Sequence, residues 1–243
     1  MWKEMTEDRR KKVRWLCVNL VLALFESWLC FALMFRLGKG FDLSYLLKYQ
    51  NWANFCLFLS SWILIALCIA ELHSGRERSY YGFRLFRYMA VTASTVTFIV
   101  AVLVSLPFNG FDFRPYLEPV NLLECIVCPF LAYYSFTRYG DYSDFGGNET
   151  VLVTLPGLLY NGIIVILNRA GVLDGPYSFQ KAEGGTAVFW SALIVTGTFI
   201  VASAILIVAR AHGPVVKKRE KLKSRKAVLN LEKAVDDEAE TRR

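Results

Sequence analysis

Six apolar blocks, each near the ~20 residues that cross the hydrocarbon core of a bilayer as a helix, divide this chain of 243 residues. They run Trp15–Phe35, Trp52–Leu72, Met89–Pro107, Pro119–Phe136, Val151–Leu167 and Ala187–Ala209. A soluble domain of this length would not scatter six such blocks, and what lies between them is too short for a soluble domain of its own. The fold class follows: all-α, a polytopic membrane helical bundle with six transmembrane helices. Residues 1–14 form a basic segment, 15–209 the bundle and 210–243 a charged tail.

Lys and Arg set the orientation, because basic loops stay cytoplasmic. With both termini inside, 22 of the 28 basic residues fall on the cytoplasmic side. The expected topology is N-in and C-in. The first block follows EDRRKKVR but exceeds the h-region of a signal peptide and has no small-residue cleavage site after it, so a retained helix is expected. Loops carry turn punctuation: GKG, NGFDF, DFGGNET and DGP. The sequon Asn148-Glu149-Thr150 falls on a cytoplasmic loop and is expected to be unused.

All six cysteines lie inside the blocks, where they read as reduced, buried thiols rather than a disulfide framework. The net charge of +7 comes largely from the termini and points to anionic lipid headgroups; no nucleic-acid partner is expected. Beyond Lys217 the tail is basic and then acidic. It is either a solvated tail or a helix lying on lipid with Val228, Leu231 and Val235 inward.

Polar residues in the blocks fall on single helical faces. The fourth gives Asn121, Glu124, Cys125 and Cys128, the first Asn19, Glu26 and Cys30, the second Asn54, Ser61 and Cys68, the fifth Thr154, Gly157 and Asn161. Helix packing explains the small and amide residues. It does not explain Glu26 and Glu124, since no Lys or Arg lies within any of these six blocks. Each carboxyl must be protonated, hydrated or bound to a cation. At 1.5 Å per residue they lie about 16 Å and about 21 Å from the basic side, close enough in depth to share a site if their helices are neighbours. Pro129 and Pro156 interrupt their spans and free the carbonyls of Cys125 and Leu152, which places both prolines toward the bundle interior.

The segments KYQNWANF, NLLECIVCPFLAYYSF and LPGLLYNGIIVILNRAGVLDGPYSF, in this order and spacing, resemble the androgen-induced-protein-like family of six-helix membrane proteins, with its androgen-dependent TFPI-regulating and bacterial relatives. The likeness covers roughly residues 45 to 180. It implies a fatty-acid-ester hydrolase using an intramembrane Thr and a His. Here Glu124 stands at the His position and Lys48 at the Thr position, so that pair is missing. The histidines, His73 and His212, sit toward the cytoplasmic side.

The expectation is a lipid-binding or partner-binding membrane protein rather than an enzyme. Pocket-lining candidates are Glu26, Asn54, Asn121, Glu124, Cys125, Cys128, Tyr160 and Asn161. The expected partners are membrane lipids, including a fatty-acid-derived ligand; no metal or cofactor is expected. The expected location is the cell membrane, or the endoplasmic reticulum in a eukaryotic cell. Two alternatives stay open: an ester hydrolase with Glu124 as base and Cys125 or Cys128 as nucleophile, and a proton- or cation-coupled carrier using Glu26 and Glu124. A thiol oxidoreductase through Cys125-x-x-Cys128 lacks an outer cysteine to relay electrons.

Overall fold

Each apolar block folds as a helix, and most of the helices begin before the block does. The computed structural model describes residues 7–34, 48–74, 80–108, 110–172 and 188–212. The helices are α1 (Glu7–Met34), α2 (Tyr49–Ser74), α3 (Tyr81–Ser105), α4 (Pro119–Tyr139), α5 (Gly147–Arg169) and α6 (Val188–His212). All six are long and apolar enough to cross a membrane, and no strand occurs among the described residues. The chain is an integral, multi-pass membrane protein. The tail with Val228, Leu231 and Val235 lies outside the described residues.

The early starts of α1 and α3 have a common cause. Lys and Arg are good helix formers and can lay their apolar stems along a helix while the charge reaches for water or a partner. So α1 begins within the basic segment, and Lys12 pairs with Glu71 at the end of α2, 3.4 Å away. Likewise α3 starts eight residues before the Met89 expected from hydropathy, which takes Arg84 and Arg87 into the helix.

Helix ends follow local chemistry. Gly110 and Gly171 take the left-handed conformation, at φ 66° and 67°. Each closes a paired C-terminal motif: Phe111 N–H to Leu106 O with Gly110 N–H to Pro107 O, and Val172 N–H to Leu167 O with Gly171 N–H to Asn168 O. At the start of α5 the Glu149 carboxylate reaches back to the Gly146 N–H at 2.6 Å. Thr150 of the sequon is buried there and bonds the Gly146 carbonyl.

Two helices widen into a π-turn just before a proline: Ala101–Ser105 before Pro107, and Leu123–Val127 before Pro129. A proline ring collides with the carbonyl four residues earlier. A wider turn there accommodates the ring without breaking the helix, and such turns often mark functional positions.

Consecutive helices run antiparallel. α1, α2, α3 and α4 close into a ring in which α1 and α3 each touch α2 and α4, while α5 packs on α3. Tyr88 of α3 donates to the Ala202 carbonyl of α6 at 2.7 Å. Polarity is inverted relative to a soluble bundle. Leu24, Phe31, Ile69, Leu159 and Ile166 point outward, while Asn19, Glu26, Asn54, Arg87 and Glu124 are at most 1 % exposed inside. That arrangement suits lipid outside and paired polar groups inside.

The end holding the start of α1 and the close of α6 (the basic end) is sealed by residues 140–146. Tyr142 and Phe145 turn back into the bundle and are buried. Tyr142 stacks on Phe136 at 3.8 Å, and Phe145 lies 6.1 Å from Tyr88. Arg84 covers Phe145 with its guanidinium 4.8 Å from the ring centre and pairs with Asp144.

Candidate functional site

Glu124 owes its place to the irregular start of α4. Pro119 opens the helix, a position where its missing N–H costs nothing. The π-turn then swings Glu124 and Cys125 into the ring, where both are buried. Glu124 Oε1 accepts a hydrogen bond from Asn54 Nδ2 of α2 at 2.9 Å. Gln50 also hydrogen-bonds this carboxyl, and the exposed Lys48 is near enough to act on its charge. The four residues make a polar path from the surface at the start of α2 to the buried carboxyl.

A second network fills the half nearer the basic end. Arg87 donates to Ser60 Oγ and Ser61 Oγ, each at 2.9 Å, and to Asn19 Oδ1 at 2.8 Å. Asn19 Nδ2 continues to Ser135 Oγ of α4 at 2.8 Å, which also accepts from Trp15 Nε1 at 3.1 Å. Four helices thus meet around one guanidinium. This corrects the expectation that the carboxyls have no basic residue within the spans: Arg87 is inside α3, and its field reaches Glu26. Hydropathy missed it because a charge ends an apolar window, whatever its partners.

Glu26 lies between the two networks. It is fully buried, and neither carboxyl oxygen meets a hydrogen-bond partner. The Cys128 thiol is its neighbour and the one weak donor directed at it. Glu124, on the same helix, and Cys30 also act electrostatically on Cys128. The structure therefore brings together Glu26, Asn54, Glu124, Cys125 and Cys128, and it makes α1 and α4 neighbours, as sharing a site required.

The other three candidates fall elsewhere. Asn121 is half-buried and donates to the Pro115 carbonyl at 2.8 Å, holding the link before α4. It shares a face with Glu124 only in a regular α-helix, and the π-turn between them breaks that register. Asn161 turns back on its own helix, to the Gly157 carbonyl at 2.9 Å. Tyr160 lies against Tyr49, ring centres 5.2 Å apart. That pair ties α5 to the first turn of α2, beside Lys48 and Gln50 but away from the carboxyl.

Chemically the cluster offers two carboxyls, one of them hydrogen-bonded, two amides, a rim ammonium and two thiols. No group of three or more His, Cys, Asp or Glu suited to a metal occurs among the described residues. His73 and His212 sit at the ends of α2 and α6, at the basic end and far along the bundle from Glu124. No protein-family model, curated protein or solved structure matches this chain.

Proposed function

We propose that this chain holds the polar group of a fatty-acid-derived lipid at the mouth between α2 and α4, without cleaving it, in the cell membrane. The observation that carries the reading is the Asn54–Glu124 hydrogen bond with the Lys48 charge at its rim. A lipid carboxyl or ester oxygen can take a donor from Lys48 or Gln50. A lipid hydroxyl can donate to Glu124. The neighbouring outward face of α2 carries Trp52, Phe55 and Leu59, an apolar track beside which an acyl chain can lie. Lys48 and Glu124, at the positions matching the resembling family's Thr/His pair, act on each other electrostatically, but neither is an activated hydroxyl nucleophile.

Purified protein, with its lipids extracted and identified by mass spectrometry, tests this. A fatty-acid-derived lipid should accompany the wild type near one per chain and be depleted in Lys48→Met and Glu124→Leu. Equal lipid in all three overturns the reading.

One observation favours a second reading. Cys125 adjoins Glu124 in the π-turn of α4, and both are buried in the ring. Covalent labelling by an ester-hydrolase probe, lost in Cys125→Ser and Glu124→Gln, would select hydrolysis over binding.

A further inference from the structure

Two carboxyls, one guanidinium and one ammonium share the ring interior and its mouth, and their partners are unequal. Glu124 receives donors from Asn54 and Gln50 and lies in the field of Lys48. Glu26, although fully buried, has no well-formed hydrogen bond at either oxygen and only the Cys128 thiol, a weak donor, beside it. An ionised carboxylate in hydrocarbon needs donors pointed at it; a carboxylic acid does not need them in the same number. The donors of Arg87 that approach the ring interior are turned to Asn19, Ser60 and Ser61 rather than to Glu26. The distribution of donors therefore gives the negative charge to Glu124 and the proton to Glu26.

We propose that Glu26 is a proton-binding site that exchanges with the Lys48 end of the bundle by way of Cys128 and Glu124, and that Arg87 closes the route toward the basic end. The groups acting on Glu26 are Cys128 and Glu124 from α4 and Arg87 from α3, while α2 contributes the uncharged Asn54, Ser60 and Ser61 to the interior. Water at the Lys48 end protonates the Glu124 carboxylate. That O–H bond breaks as the Cys128 sulfur takes the proton and its own S–H passes to an ionised Glu26. Cys128 ends as it began, and the pair keeps the same total charge once Glu124 has passed its proton on. Toward the other side the next polar group is a fixed, fully buried cation, and an Arg in a narrow path repels protons and cations. The site therefore loads and unloads from one side and does not conduct. This rests on Glu26 and is independent of any lipid at the α2–α4 mouth.

Infrared difference spectroscopy on the full chain, oriented in proteoliposomes, tests it. The wild type should show the C=O stretch of a protonated carboxyl near neutral pH, shifted in D2O, absent in Glu26→Gln and retained in Glu124→Gln. Raising pH at the Lys48 face alone should abolish the band, and raising it at the Lys12 face alone should not. A band that survives Glu26→Gln, or that responds from the Lys12 face, overturns the proposal. Gln is the neutral isostere of the protonated acid, so Glu26→Gln should fold normally. Failure of that variant to fold would itself show that Glu26 carries a charge, and would overturn the proposal too.

Discussion

Asn54 and Glu124, 70 residues apart in sequence, meet inside the ring through a 2.9 Å hydrogen bond from amide to carboxyl. The contact ties α2 to the π-turn of α4, so it fixes both the depth and the rotation of the carboxyl. Glu124→Gln loses the charge and one acceptor but retains an oxygen that can accept from Asn54, and it should cost about 1 kcal/mol. Glu124→Leu strands the Asn54 amide in a buried position and should cost about 1–3 kcal/mol. Unfolding in mild detergent, followed for both variants, measures this. Equal losses would mean that the negative charge, rather than the hydrogen bond, holds the helices together.

Arg87 gives the complementary test. Removing one member of a buried ion pair costs about 3–5 kcal/mol, because the remaining charge is left unpaired. The close partners of Arg87 are neutral: Asn19, Ser60 and Ser61. Arg87→Met should therefore cost only about 1–3 kcal/mol, the scale of unmade hydrogen bonds. Arg87→Lys should recover little of this, since an ammonium lacks the fork that reaches two helices at once. Combining Arg87→Met with Glu26→Gln should add nearly independently. A double variant clearly more stable than Arg87→Met alone would show that Glu26 is ionised beside Arg87.

Apolarity is a local property, so the six spans could be read from the sequence. The oddity of Glu26 and Glu124 was legible for the same reason, and both proved to be interior. Arg87 was not legible. Its burial depends on hydroxyls from α2 and an amide from α1, which no window around residue 87 contains. Gln50 was hidden differently: it precedes the apolar block, and only the folded start of α2 carries it to Glu124. Asn121 was misplaced because helical periodicity assumes a constant turn, and the π-turn beginning at Leu123 changes it.

The side of the membrane follows from charge and can be checked directly. Lys12, Arg84 and Arg210 cluster at the end that also holds residues 140–146, whereas Gly110 turns the chain at the opposite end. The positive-inside rule puts the first group in the cytoplasm. A reporter or protease site inserted at Gly110 should read as external, as should one at Glu183, which lies outside the described residues. One placed at Ser143 should read as cytoplasmic. The opposite pattern would reverse the bundle and with it the side from which Glu124 is reached.

Within residues 140–146, Tyr142 and Phe145 are part of the core, and Tyr142 reports on the segment. Burial pushes its phenol well above the usual tyrosine range, only partly opposed by the charges of Arg87 and Arg84. The folded state thus holds the proton more tightly than the unfolded state. Stability from this group is complete below the ordinary tyrosine pKa of about 10 and falls as pH rises beyond it, because only the unfolded chain can ionise there. On alkaline titration the Tyr142 phenolate absorbance should appear together with unfolding rather than before it. Tyr142→Phe keeps the stack on Phe136 and should shift the alkaline midpoint upward. Tyr142→Ala and Phe145→Ala should each cost about 3–5 kcal/mol, as expected for emptying a buried aromatic site. A Tyr142 that ionises freely while the helices remain folded would mean that this segment lies in water and does not seal the bundle.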